Sequence, residues 1–109
     1  MSHDQVRYRL GFILYGEDAW RGSVRRSASG APYIIFDAHG LTVKEARKLI
    51  EDIARIYLVP ISLEIIHGFH HGTGIKDMLT EETFNDRLIS RAVPDHNPGV
   101  TIFQIAAAA

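Results

Sequence analysis

Residues 33–74, YIIFDAHGLTVKEARKLIEDIARIYLVPISLEIIHGFHHGTG, decide the fold. Tyr33-Ile34-Ile35-Phe36 is a short continuous apolar run between Pro32 and Asp37, the pattern of a strand buried on both faces. His39-Gly40 closes it. Thr42 followed by Glu45 forms a capping box, in which each side chain reaches the other residue's backbone amide. Beyond it Val43, Ala46, Leu49, Ile50, Ile53, Ile56 and Tyr57 recur at helical spacing while charged residues fill the opposite face, so the segment is an amphipathic helix. Pro60 marks its end, and Ile61–Ile66, with only Ser62 and Glu64 polar, predicts a second strand. A strand–helix–strand unit makes its strands parallel neighbours through a right-handed crossover. Their carboxyl ends, Asp37-Ala38-His39 and His67-Gly68, therefore share one sheet edge.

Downstream, Gly74–Leu79 opens a second helix expected to reach about Phe84. Arg87–Val93 and Val100–Ile105 predict two more strands around the turn Asp95-His96-Asn97-Pro98-Gly99. Upstream, residues 6–15 (VRYRLGFILY) begin with alternation and continue as an aromatic and β-branched run, which predicts a strand. The stretch Trp20–Pro32 has turn composition without either period and predicts a mobile loop. The expected organisation is an N-terminal strand and loop extension over 1–32 and an α/β domain over 33–109 with strands and helices in the order β-α-β-α-β-β.

A chain of 109 residues with 46% hydrophobic and 23% charged residues is one globular domain. No apolar run approaches the roughly 20 residues that span a bilayer, so no membrane partner is expected and the cytoplasm is the expected compartment. The lack of cysteine removes disulfides, thiolate metal sites and a cysteine nucleophile. Twelve Lys+Arg against 13 Asp+Glu give a net charge of −1, so any nucleic-acid contact must be local. The basic end is N-terminal, where Arg7, Arg9, Arg21, Arg25 and Arg26 face only Asp4, Glu17 and Asp18 in the first 30 residues.

In open α/β sheets ligands bind beyond the carboxyl ends of the strands. Asp37 and His39 stand two apart there, and a carboxylate that orients an imidazole titrating near neutral pH suits general acid–base work. Asp37 could equally bond the amides of the following turn. His67 is the second imidazole of the edge. Gly68, Gly72 and Gly74 around Thr73 form a flexible lead into a helix whose amides and dipole suit a phosphate, with Lys76 adding charge. The spacing is neither that of a phosphate-binding Walker loop nor that of a dinucleotide fingerprint. His39, His67, His70 and His71 with Asp37 also allow a divalent metal reading. Asn97-Pro98-Gly99 reads as a turn, in its functional version bordering the same site.

Phe36-Asp37-Ala38-His39-Gly40-Leu41-Thr42-Val43, then Glu45-Ala46, then Ile65-Ile66-His67-Gly68 resembles the Smr domain, the small MutS-related family, over about residues 33–105. The family's first motif reads Leu-Asp-Leu-His-Gly-Leu, and its second begins Val-Ile-His-Gly or Ile-Thr-Gly. The resemblance implies a two-layer α/β sandwich of two helices on a four-stranded mixed sheet, nucleic-acid binding, and in several members nicking of DNA or cleavage of RNA. It carries over Asp37, His39 and His67 as the acidic and histidine positions, Gly68 and Gly72 as the glycine loop and Lys76 as the basic residue starting the second helix. Ala38 stands where a Leu is usual. The second motif departs as His67-Gly68-Phe69-His70-His71-Gly72-Thr73-Gly74, closer to a variant group of short stand-alone members with Asn-Pro-Gly before the last strand.

The resulting expectation is an endonuclease in which Asp37, His39 and His67 transfer protons. Gly68 and the loop His70–Gly74 seat phosphate, and Lys76, Lys44, Arg47, Arg25 and Arg26 steady the backbone. No cofactor is required for it, and a divalent metal is the alternative the histidines allow. The competing expectation is a non-catalytic module that binds branched nucleic acid or a ribosome-associated partner.

Overall fold

The computed structural model describes residues 1–68, 74–81 and 85–107, without the side chains of 90 and 91. In chain order the elements are α1 (His3–Leu10), a short 3-10 helix (Gly16–Arg21), β1 (Gly22–Arg26), β2 (Pro32–Asp37), α2 (Val43–Ile56), β3 (Ile61–Ile66), α3 (Gly74–Leu79), β4 (Leu88–Ala92) and β5 (Val100–Ile105). The α/β class and the central strand–helix–strand unit are those read from the sequence, with β3 and β5 at the bounds expected.

One mixed sheet runs in the order β1-β2-β3-β5-β4. Its parallel pair is β2 with β3, with Asp37 opposite Ile66. β1 lies antiparallel to β2, and β5 antiparallel to both β3 and β4. The sheet thus has five strands, the four expected plus β1. The fifth comes from a segment read as loop, because Gly22–Arg26 alternates weakly. Only Val24 turns inward, and Arg25 and Arg26 are exposed. Charge of that kind suits an edge strand, which it keeps from pairing with other chains.

The N-terminal segment also departs from expectation. Residues 3–10 form a helix rather than a strand, capped by Ser2, whose side chain accepts from the Gln5 amide while Gln5 returns a bond to the Ser2 amide. Val6 and Leu10 stand one helical turn apart and are buried, and Leu14 joins them. Tyr8 and Phe12, whose rings meet edge to face, occupy the exposed side. Those two outward aromatics give the segment its strand-like apolar density. α3 ends at Leu79 rather than about Phe84. Its last turn closes as the Thr80 amide and hydroxyl both donate to the Asp77 carbonyl.

The core explains the layering. One cluster joins Val6, Leu10 and Leu14 to Ala46, Ile50 and Ile53 of α2, Met78 and Leu79 of α3, and Ile34, Phe36, Leu63, Ile65, Phe103 and Ile105 of the sheet. Every strand residue in it belongs to one sheet face, so the helices form a second layer over that face. Tyr57 seals the joint between α1 and α2, where its buried hydroxyl donates to the Val6 carbonyl at 2.8 Å. The opposite face presents Tyr33, Ile35 and Asp37 of β2 and Ser62, Glu64 and Ile66 of β3, all partly exposed. No helix among the described residues is long and apolar enough to cross a membrane.

Candidate active site

The carboxyl ends of β2 and β3 meet through backbone bonds. The Ala38 amide donates to Ile66 O at 2.8 Å, and the His67 and Gly68 amides both donate to Gly99 O. The turn 97–99 therefore borders this edge. Asn97 braces it by accepting from the Gly99 amide. Gly40 and Gly68 both have positive φ, 83° and 72°, the left-handed region that glycine enters without a Cβ penalty. The chain can thereby turn sharply on leaving each strand and bring Gly68 beside His39. A Cβ added at Gly68 would stand 4.0 Å from the His39 Cβ.

Asp37 and His39 are brought together. Asp37 Oδ1 accepts from the His39 backbone amide at 3.1 Å and from His39 Nδ1 at 2.5 Å. One oxygen thus bonds both the backbone of the turn and the ring. A carboxylate oxygen only accepts, so Nδ1 carries the hydrogen, and in the neutral ring Nε2 keeps its lone pair. The His39 side chain is 60% exposed, whereas that of Asp37 is 24% exposed. The arrangement is an accessible proton acceptor held in one tautomer by a shielded carboxylate.

His67 occupies the same edge but the other face. Alternation along β3 places it with Leu63 and Ile65, and it is buried. Its Nδ1 donates to Gly68 O at 3.0 Å, and its Nε2 accepts from the Thr101 hydroxyl at 2.9 Å. Burial pushes its pKa below the ordinary value, and the nearby Lys76 charge acts in the same direction. Both nitrogens are engaged with the scaffold, so this imidazole is a neutral strut that joins β3 to β5.

Two residues that the sequence reading left in a loop complete the cluster. Trp20 and Arg21, from the 3-10 helix before β1, reach the end of β2. Arg21 Nη1 donates to Asp37 O at 3.1 Å and to His39 O at 2.8 Å, while its Nε donates to Asp18 Oδ1 at 3.1 Å. The guanidinium also lies 4.5 Å from the centre of the Trp20 ring, a cation–π arrangement. Trp20 meets the His39 ring at 5.5 Å between centroids and 64° between planes. The only sequence signal for this pair was Arg21's place among the N-terminal arginines.

The remaining expected residues divide. Lys44, exposed in the first turn of α2, and Lys76 in α3 stand on helices whose starts touch. A Cβ at Gly74 would come within 2.8 Å of Val43 Cγ2. The start of α2 is closed by its own capping box, where Thr42 bonds hold the Glu45 carboxyl below its usual range and the Arg21 charge contributes. Arg47 pairs with Glu51 at 3.1 Å and stands 4.0 Å from Glu81. Arg25 and Arg26 sit at the far end of β1, where Arg26 is opposite Pro32. His70, His71, Gly72 and Thr73 lie outside the described residues, and with them much of the expected phosphate loop and metal set. Among the described residues no three His, Asp or Glu side chains gather to hold an ion. Comparison with protein-family models, curated proteins and solved structures gave no match for this chain.

Proposed function

We propose that the chain is a nucleic-acid-binding protein of Smr type that cleaves a phosphodiester backbone. The observation that carries this reading is the Asp37–His39 pair, an exposed imidazole whose Nδ1 is held at 2.5 Å by a carboxylate at a strand end. On RNA the 2′-hydroxyl gives up its proton to His39 Nε2 as its oxygen attacks phosphorus. The bond to the 5′-oxygen breaks, and the imidazolium returns the proton to that leaving oxygen. Asp37 holds the tautomer and stabilises the imidazolium while the proton is carried. His67 supports the edge, and Lys44 and Lys76 lie on the helices that flank it and supply positive charge for backbone phosphates.

The locking of His67 favours a second reading, because among the described residues it leaves His39 as the one accessible imidazole at this edge. In that case the domain binds nucleic acid without cutting it. Incubation of the purified protein with labelled single-stranded RNA, duplex DNA and branched DNA, with and without chelator, separates the two. Cleavage that is lost in the D37A/H39A protein supports the nuclease and names its substrate. Binding without cleavage of any of the three leaves the module, and absence of binding overturns both.

A further inference from the structure

Trp20 is the chain's single tryptophan, and it stands 57% exposed beside His39. The ring is held against groups of the strand end. The Arg21 guanidinium lies against the ring and is itself bonded to the carbonyls of Asp37 and His39, with only 12% of its side chain exposed. The guanidinium covers part of the indole from the side of the strand ends, and 57% of the residue remains exposed. His39 meets the same ring at 5.5 Å, so whatever lies on the indole is adjacent to the imidazole.

We infer that Trp20 is a stacking seat for an unpaired base, which places the adjoining phosphodiester at His39 and makes single-stranded nucleic acid the substrate class. This rests on the nucleic-acid reading above and narrows it. An indole offers a flat apolar surface that every base can cover, and single-strand binders combine such surfaces with a basic track. The track is present in β1, which leads directly from Arg21 to Arg25 and Arg26 over about 13 Å at the usual strand rise. Arg25 shares a sheet face with Tyr33, its partner in the register, so a second aromatic accompanies the second positive group. Bases in a duplex are already stacked on their neighbours and have no free face to offer.

The test uses Trp20 as its own reporter. Intrinsic emission of the full chain is titrated with a short oligothymidylate, an oligouridylate, a backbone of the same length lacking bases, and a duplex, while a fluorophore on each strand reports binding separately by anisotropy. The inference expects quenching by the two single strands and none by the base-free backbone or the duplex. It also expects W20A to weaken single-strand binding about tenfold, the order of one base–aromatic stack, with W20F recovering most of the loss. Single strands that bind by anisotropy without quenching, or equally well to W20A, overturn the stacking seat and leave the nucleic-acid reading standing. Equal quenching by duplex overturns the single-strand assignment. If no strand binds the wild-type chain at all, the nucleic-acid reading falls and the inference with it.

Discussion

The Arg21 guanidinium donates to the His39 carbonyl at 2.8 Å, across 18 positions of sequence, and the same nitrogen reaches the Asp37 carbonyl at 3.1 Å. One side chain from the segment before β1 thereby fixes the backbone on both sides of Ala38. Those bonds are charge-assisted, the one to Asp37 part-buried and the one to His39 exposed, and a bond to a charged group is worth about 1.5–3 kcal/mol at most when lost. R21A is expected to lower stability by about 2 kcal/mol in urea unfolding. R21K, which keeps the charge but loses the fork that serves both carbonyls and Asp18, should recover less than half of it.

α1 is expected to belong to the same cooperative unit as the sheet. Leu10 is 5% exposed and packs in the shared core cluster, so L10A should cost about 2–4 kcal/mol by the usual loss for a buried leucine. Unfolding of L10A followed by Trp20 emission and by far-ultraviolet dichroism should give a single coincident transition. Y57F removes the bond to the Val6 carbonyl and should cost about 1 kcal/mol, with faster amide exchange in residues 3–10. Two separate transitions in L10A would show that the N-terminal segment unfolds on its own.

The features legible in the sequence are those where local pattern and burial agree. α2 carries a capping box and a clean apolar stripe, and β3 and β5 are β-branched runs free of Gly and Pro whose ends match the structure. α1 was equally marked at its start by Ser2 and Gln5. Its period is blurred by Tyr8 and Phe12, large apolar residues on the exposed face. β1 has one inward side chain, so its pairing with β2 is a long-range fact. The Asp37–His39 contact follows from spacing of two at a strand end. That His67 turns away from it is also implied by alternation, since Leu63, Ile65 and His67 share a face, whereas Asp37 follows the inward Phe36. The arrival of Trp20 and Arg21 at this edge depends on the sheet being assembled, and no local pattern announces it.

His67 makes stability depend on pH with a definite sign. Burial holds its folded pKa below the ordinary 6.5, so the folded chain keeps it neutral while the unfolded chain takes up a proton as pH falls past that value. Stability from this group is complete above about pH 6.5 and is lost as pH falls from there toward the depressed folded value. Urea midpoints measured from pH 8 down to pH 5 should decline in this window for the wild-type protein. H67Q, which cannot take up the proton, should start from a lower stability and show a flatter profile. Parallel profiles for the two proteins would mean that another group carries the dependence.

D37N is the sharpest test of the Asp37–His39 pair, because it keeps the size of the side chain and an oxygen for the His39 backbone amide. An amide oxygen in the place of Oδ1 can still accept from both the backbone amide and Nδ1. What is lost is the negative charge that stabilises the imidazolium while the proton is carried. Turnover should drop about 10²–10⁴-fold, the usual contribution of a positioned general base, with little change in single-strand affinity. H39A should fall to a similar level, and the D37N/H39A double variant should be no worse than H39A alone. That non-additivity is expected when two residues act as one unit. A D37N protein that retains full turnover, or a double variant much slower than H39A, would separate Asp37 from the chemistry and leave it as a brace of the Gly40 turn.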